Sequence, residues 1–193
     1  VLTMPRSSRR NSRTCAVCSQ TLYGFDDDME LGIADLPSAH PLSGFSGQAM
    51  CGPCFESWDH RESFGSLVVD RVREQAPKTT SAEIYNDEDC LVLLNVAVEA
   101  LSWKPVQLRN KEEYQVIVWL RATGTDLTIP LTQWPGEKPE TRDNKRLRAS
   151  EQAALNSVWP TLLSVFPNAR EVLSRVDVDK VIADHQNWLA RGD

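Results

Sequence analysis

Apolar positions along the chain change rhythm several times. Positions 55, 58, 64, 67, 68 and 72 follow helical spacing and predict a helix interrupted near Gly65. From residue 89 the rhythm is that of strands. Residues 89–98, 114–120 and 127–131 are β-rich, and 122–126 form a hairpin loop between the last two. A further strand is expected around 106–108, confined to an edge or turn by Trp103-Lys104-Pro105. Helical spacing returns through Leu147, Ala154, Leu155, Val158, Trp159, Leu162 and Phe166, with a kink expected at Pro160. Asn168 and Glu171 have the spacing of a capping box that opens a short helix to about Arg175. A last helix, from Asp177 or Asp179, is expected to bury Val181, Ile182, His185, Trp188 and Leu189 before Gly192 stops it.

Strands first and helices after them predict an α+β plan for residues 82–193, a small antiparallel sheet with C-terminal helices. Trp134-Pro135-Gly136 closes the sheet, and 137–148 is a polar crossing. Before 82, Pro77-Lys78-Thr79-Thr80-Ser81 has the composition of a linker. It sets a second unit, 14–75, apart. Residues 26–50 form an irregular excursion with Gly or Pro at 32, 37, 41, 44 and 47, and residues 1–13 lack apolar side chains enough to order them.

Charge sharpens this division. Residues 1–13 carry Arg6, Arg9, Arg10 and Arg13 with no acid, while 14–75 hold 3 basic and 10 acidic residues and 76–193 hold 14 and 17. The net charge of −6 is thus an acidic body with a basic arm. Such a body repels phosphate backbones, so nucleic acid would be held only by the arm or by the basic residues of 138–148. With 41% hydrophobic residues the chain folds, and no apolar run reaches the roughly 20 residues that span a bilayer. No membrane association is expected. The first 13 residues lack the apolar stretch of a secretory signal, which points to a reducing, cytoplasmic compartment.

The chemistry lies in the cysteines. Cys15-Ala16-Val17-Cys18 and Cys51-Gly52-Pro53-Cys54 are two C-x2-C pairs with 32 residues between them. Tetrahedral Zn²⁺ takes four thiolates, and each pair spans one tight turn, so Cys15, Cys18, Cys51 and Cys54 are the expected metal ligands. Four sulfur ligands leave no open coordination position, which makes the ion structural. A knuckle followed by the apolar Leu22, Tyr23 and Phe25, with a second pair entering a helix, resembles the treble-clef group of zinc folds over residues 13–75. That resemblance implies a metal-stapled domain whose members include nucleic-acid readers and protein-interaction modules.

Competing chemistries are weaker. CGPC at 51–54 is also the active-site tetrapeptide of thioredoxins, in which a thiol at a helix N-terminus attacks disulfides. Such enzymes run a buried strand into the first cysteine, and 43–50 has too little apolar character for one. The acidic run Asp26-Asp27-Asp28 lacks the alternation of a calcium loop, and His40, His60 and His185 have simpler roles in loops or at the core boundary. Cys90 heads a strand and is expected to be a small buried apolar residue, whereas Trp103 and Trp134, beside prolines, are candidates for exposed recognition residues. Phosphate loops, H-E-x-x-H and G-x-S-x-G are missing from the sequence. The sequence therefore predicts a non-enzymatic zinc protein that binds another protein, with a nucleic-acid-associated regulator as the alternative and a thiol–disulfide oxidoreductase behind it.

Overall fold

The computed structural model describes residues 13–22, 28–31, 36–96, 114–142 and 145–191. The architecture is α+β, with the four cysteines near the N-terminus, antiparallel sheets, and helices at the C-terminal end. Two short ladders open it. Strand β1 (Arg13–Thr14) pairs with β2 (Thr21–Leu22), and β3 (Asp28–Glu30) pairs with β4 (Ala49–Cys51), both antiparallel. Helices α1 (Gly52–Glu56) and α2 (Arg61–Gln75) follow. The main sheet then runs β5 (Ser81–Asn86), β6 (Cys90–Val96), β7 (Tyr114–Leu120) and β8 (Thr125–Pro130), in that spatial order and antiparallel throughout. A hairpin of β9 (Thr141–Arg142) and β10 (Lys145–Arg146) leads into α3 (Ala149–Val165), α4 (Ala169–Ser174) and α5 (Val178–Arg191).

Strand β6 shows why the fold needs two covers. An unbroken apolar run in a strand puts hydrophobic groups on both faces of the sheet. Cys90, Val92, Leu94 and Val96 join Val116, Val118, Leu127 and Ile129 in the large core, which α3 closes with Leu155, Val158 and Leu162, helped by Phe166 just past its end. Leu91 and Leu93 point the other way, onto Val69 of α2 and Ala76 of the 3₁₀ turn after it. Strand β7 alternates fully and partly buried positions, so its second face, Ile117 and Trp119, is only half covered.

Helix α2 reaches the sheet by direct backbone contact. A Cβ on Gly65 would lie 2.3 Å from the Arg121 carbonyl oxygen and 2.6 Å from the Gly124 nitrogen, at the β7–β8 turn. Gly124 has φ +65, and a Cβ there would meet the Gly65 Cα at 2.9 Å. Arg121 clamps the same corner. Its guanidinium donates to Asp70 Oδ1 (2.7 Å), Asn86 Oδ1 (2.8 Å) and the Asp87 carbonyl (2.9 Å). Arg73 and Glu83 pair at 2.7 Å across the stretch that composition marks as a linker.

Several expectations need correction. Gly65 is not a break: the interruption is at Ser57–His60, between α1 and α2, and Gly65 lies within α2 because the crossing requires it. Ser81 begins strand β5, which alternation misses because it is only half-buried and its register shifts between Glu83 and Tyr85. Trp134 is a core residue, buried in the large cluster, with its indole Nε1 donating to the Phe166 carbonyl at 2.9 Å. Helix α5 buries no residue fully, and Leu189 is 59% exposed. The excursion at 26–50 contains β3 and a 3₁₀ turn at Ser43–Phe45, and Arg13 belongs to β1. Other expectations match: β6, β7 and β8 overlay the three β-rich runs, α3 covers the helical stretch with Pro160 inside it, and Asn168 caps α4 by accepting from the Arg170 and Glu171 amides. The strand proposed at 106–108, Trp103, and the side chains of Tyr23 and Phe25 lie outside the described residues.

The glycine crossing yields a stability test. Gly65→Ala is expected to cost about 2 kcal/mol or more, because backbone atoms must move, even though alanine in a helix is intrinsically favoured by about 1 kcal/mol. Gly44→Ala, where a Cβ meets nothing within 4 Å, stays within about 0.5 kcal/mol of the parent. Urea midpoints of the two variants decide it.

Candidate metal centre

Local hydrogen bonding builds the first half of the site. Cys15 donates its amide to the Gln20 carbonyl and accepts from the Ser19 amide, both at 2.9 Å, which folds 15–20 into a tight knuckle between β1 and β2. Ser19 turns the chain with φ 61, a left-handed conformation that side chains other than glycine disfavour. The Ala16 amide then donates to the Ala49 carbonyl at 2.9 Å. That bond pins the knuckle to β4.

Strand β4 carries the second half. Ala49, Met50 and Cys51 are all buried, and Cys51 is the N-cap of α1 with extended backbone. Gly52 and Pro53 open the helix, where a proline with no amide proton and a fixed φ is accommodated. Cys54 therefore sits in the first turn. The Cys51 amide donates to Cys15 Sγ at 3.4 Å, and Cys18 Sγ lies 3.8 Å from Cys51 Sγ.

All four sulfurs lie within 4.8 Å of one another. Metal–sulfur bonds of about 2.3 Å place the corners of a tetrahedron about 3.8 Å apart, so the cluster is of the size that one ion closes. No other such group of His, Cys, Asp or Glu occurs among the described residues. His40 instead accepts from the Leu42 amide through Nδ1, His60 lies edge-on to Trp58, and Cys90 is buried in β6. None of the five cysteines forms a disulfide.

The thiols of the cluster differ in how readily they ionise. Cys15 is drawn down to about 6: burial opposes its charge, but the amides of Cys18, Cys51 and Val17 outweigh burial. Burial leads in raising Cys51, and the hydrogen bond with Cys51 leads in pushing Cys54 up to about 12. The Cys15 thiolate is favoured while Cys51 and Cys54 are held protonated. Four negative sulfurs at this spacing coexist only with a cation among them. The donor set, spacing and charge demand thus fit a bound metal ion.

The two pairs differ in access. Cys15 and Cys51 are buried against Leu22, Leu31, Leu42, Met50, Phe55 and Phe64, with Phe45 and Trp58 packed at 4.7 Å nearby. Cys18 is exposed and Cys54 half-exposed, so one side of the centre faces solvent. The helix bearing Cys54 is anchored at its far end, where Glu56 Oε1 accepts from Ser150 Oγ at 3.0 Å and Arg61 donates to the Glu56 carbonyl at 2.8 Å. Glu56 and Ser150 are 94 residues apart, and nothing in local spacing announces the pair.

One sequence argument fails here. A buried strand does run straight into CGPC, because Ala49–Cys51 pairs with β3 and packs against the knuckle. What distinguishes this CGPC is its company: Cys15 and Cys18 approach the same sulfurs. Among the described residues, no helix is long and apolar enough to cross a membrane. In comparisons with known proteins, the chain matches no family profile, no curated protein and no solved structure.

Ser19 provides a test of the knuckle. A β-branched residue strains a left-handed position by about 1–3 kcal/mol, so Ser19→Val is expected to lower the thermal midpoint and weaken metal retention. Ser19→Gly retains both. Calorimetry with parallel metal analysis of the three proteins reads the effect.

Proposed function

We propose that Cys15, Cys18, Cys51 and Cys54 hold one structural Zn²⁺ and that the protein is a non-enzymatic, metal-stapled module that binds another protein. The observation that carries the metal reading is the closed four-sulfur cluster. Zinc suits four soft donors, and a full set of sulfur ligands leaves no place for an activated water or a substrate atom. A knuckle between two short strands, a second strand pair, and a helix receiving the last ligand give this region a treble-clef-like order. Zinc bound here supplies folding energy, since it would tie the knuckle to the start of α1 beside the small cluster of Met50, Phe55 and Phe64. A reducing compartment such as the cytoplasm keeps these thiols available as ligands.

The protein-partner reading draws on the acidic body and on Val17, an apolar residue 49% exposed at the tip of the knuckle. A nucleic-acid reading has its own support in the β9–β10 hairpin, whose register sets Lys145 across from Arg142 beside Arg146. Charge weighs against it. The oxidoreductase reading takes support from the strand–CGPC–helix order, and metal-bound sulfurs make poor attacking groups.

Zinc stoichiometry decides first. Protein purified without chelator is expected to contain one equivalent, and Cys15→Ser or Cys54→Ser to lose the ion together with the helical signal of α1 and α2. Well under one equivalent in the parent would sink the proposal, as would insulin reduction that disappears in Cys51→Ser.

Salt titration separates the partner classes. Each phosphate contact contributes a slope of about −0.9 in log affinity against log salt for duplex DNA, so an arm of four arginines and a short hairpin give weak binding near physiological salt. Deleting residues 1–13 is expected to remove most of that binding. Submicromolar affinity that survives the deletion would favour the nucleic-acid reading.

A further inference from the structure

The four sulfurs of the metal centre are unequally sheltered. Cys15 and Cys51 are buried, Cys54 is half-exposed, and Cys18 is exposed next to Val17 at the tip of the knuckle. A metal ligand of this kind is a thiolate, the form that oxidants attack, and susceptibility rises with thiolate character and exposure. An oxidant arriving from solvent therefore meets Cys18 first. Cys90, the one cysteine outside the centre, is buried in β6 and stands apart from this chemistry.

What Cys18 faces decides the product. The Cys51 sulfur lies 3.8 Å away, and a disulfide needs about 2.05 Å, so a closing movement of about 1.8 Å joins the two. Backbone bonds set this approach. The Ala16 amide holds the knuckle on the Ala49 carbonyl, and the pairing of β4 with β3 holds that strand in register, so Cys18 is presented to Cys51 by the chain itself. Cys15 is the less available partner for Cys18, because its sulfur already accepts the Cys51 amide at 3.4 Å.

We propose that Cys18 and Cys51 form a redox clasp: a hydroperoxide oxidises Cys18, Cys51 closes a disulfide onto it, and that bond replaces the metal ion as the tie between the knuckle and β4. The inference rests on the metal reading and names a condition under which the ion is given up. In the first step the Cys18 sulfur attacks the terminal peroxide oxygen and the O–O bond breaks. Sulfur is oxidised to a sulfenic acid, and the peroxide is reduced to an alkoxide, or to hydroxide from hydrogen peroxide, which takes a proton from solvent. In the second step the Cys51 thiolate attacks the Cys18 sulfur; the S–S bond forms as the S–O bond breaks, and hydroxide leaves as water with a second solvent proton. Two sulfur ligands remain, too few for a four-coordinate structural site, and the ion is released. Coordination slows the first attack, so the response is stoichiometric and turns over no external disulfide.

Titrating the full, zinc-loaded chain with hydrogen peroxide tests the inference. Zinc content before peroxide reads the metal proposal by itself. On treatment, zinc is expected to pass to a chromogenic chelator in step with the loss of two free thiols, and peptide mass mapping of the alkylated product to show Cys18 joined to Cys51. That bond ties positions 33 residues apart, so the oxidised chain is expected to melt at a higher temperature than the same chain stripped of zinc and kept reduced. Dithiothreitol with added zinc returns the starting state, and Cys90→Ala responds as the parent does. A parent that carries no zinc before peroxide overturns the metal reading and the inference with it. A zinc-loaded parent overturns the inference alone by keeping its ion under excess peroxide, by forming only sulfinic acid, or by linking Cys51 to Cys54 or Cys15 to Cys18 instead. An oxidised chain that melts with the stripped one, or a Cys90→Ala variant that no longer responds, does the same.

Discussion

Much of the architecture follows from one requirement: strand β6 must be dry on both faces. Its run from Cys90 to Leu94 contains no polar residue, so a sheet covered by α3 alone would leave Leu91 and Leu93 in water. Helix α2 meets that need, and it can lie close enough only where Gly65 and Gly124 remove two Cβ atoms from the crossing. The consequence reaches the metal centre. Only Ser57–His60 separates α2 from α1, and α1 carries Cys54, so the helix that completes the sheet also fixes the position of the last ligand. Arg121 at one end and Glu56–Ser150 at the other hold this arm at two further points. The metal-binding third and the sheet share a wall. A bound ion would order the start of the same arm that dries the second face of β6.

How much of this was legible in the sequence depended on how local the cause was. Strands β6, β7 and β8 and helices α3 and α4 are written in apolar periodicity and in the Asn168 cap, which act over a few residues. The cysteine pairs were legible for the same reason, since a C-x2-C turn is a local object. Gly65 was misread as a break because a glycine in a helical pattern weakens it locally, and its reason lies at Gly124, which is distant in sequence. Trp134 was misread because proline neighbours signal a loop. The loop is real, but its indole is drawn inward to the Phe166 carbonyl and packs at 5.5 Å on Trp159. Strand β5 escaped because a register shift breaks its alternation, while Asp87 holds the turn after it through the Asp89 and Cys90 amides.

The cysteine centre shows how tertiary surroundings settle what a motif can do. A thiol at a helix N-terminus after a buried strand is a site where a free thiolate gains reactivity, provided that it meets solvent and a substrate disulfide. Here Cys51 is buried, its amide is directed at Cys15, and its sulfur lies 3.8 Å from Cys18. The knuckle that delivers those sulfurs is fastened to β4 by the backbone bond from Ala16 to Ala49, the residue two before Cys51 in the same strand. Strand β4 therefore does two things at once: it presents CGPC to a helix and brings a second pair of thiols to that presentation. The amide donors that lower Cys15 against its burial come from the knuckle and from Cys51 itself, so both halves contribute to the preference for a charged sulfur there. With Cys15 favoured as a thiolate and Cys51 and Cys54 held protonated beside it, the lowest-energy way to ionise the cluster is to place a divalent cation at its centre. The geometry that would make Cys51 a nucleophile in isolation makes it, in this company, a ligand.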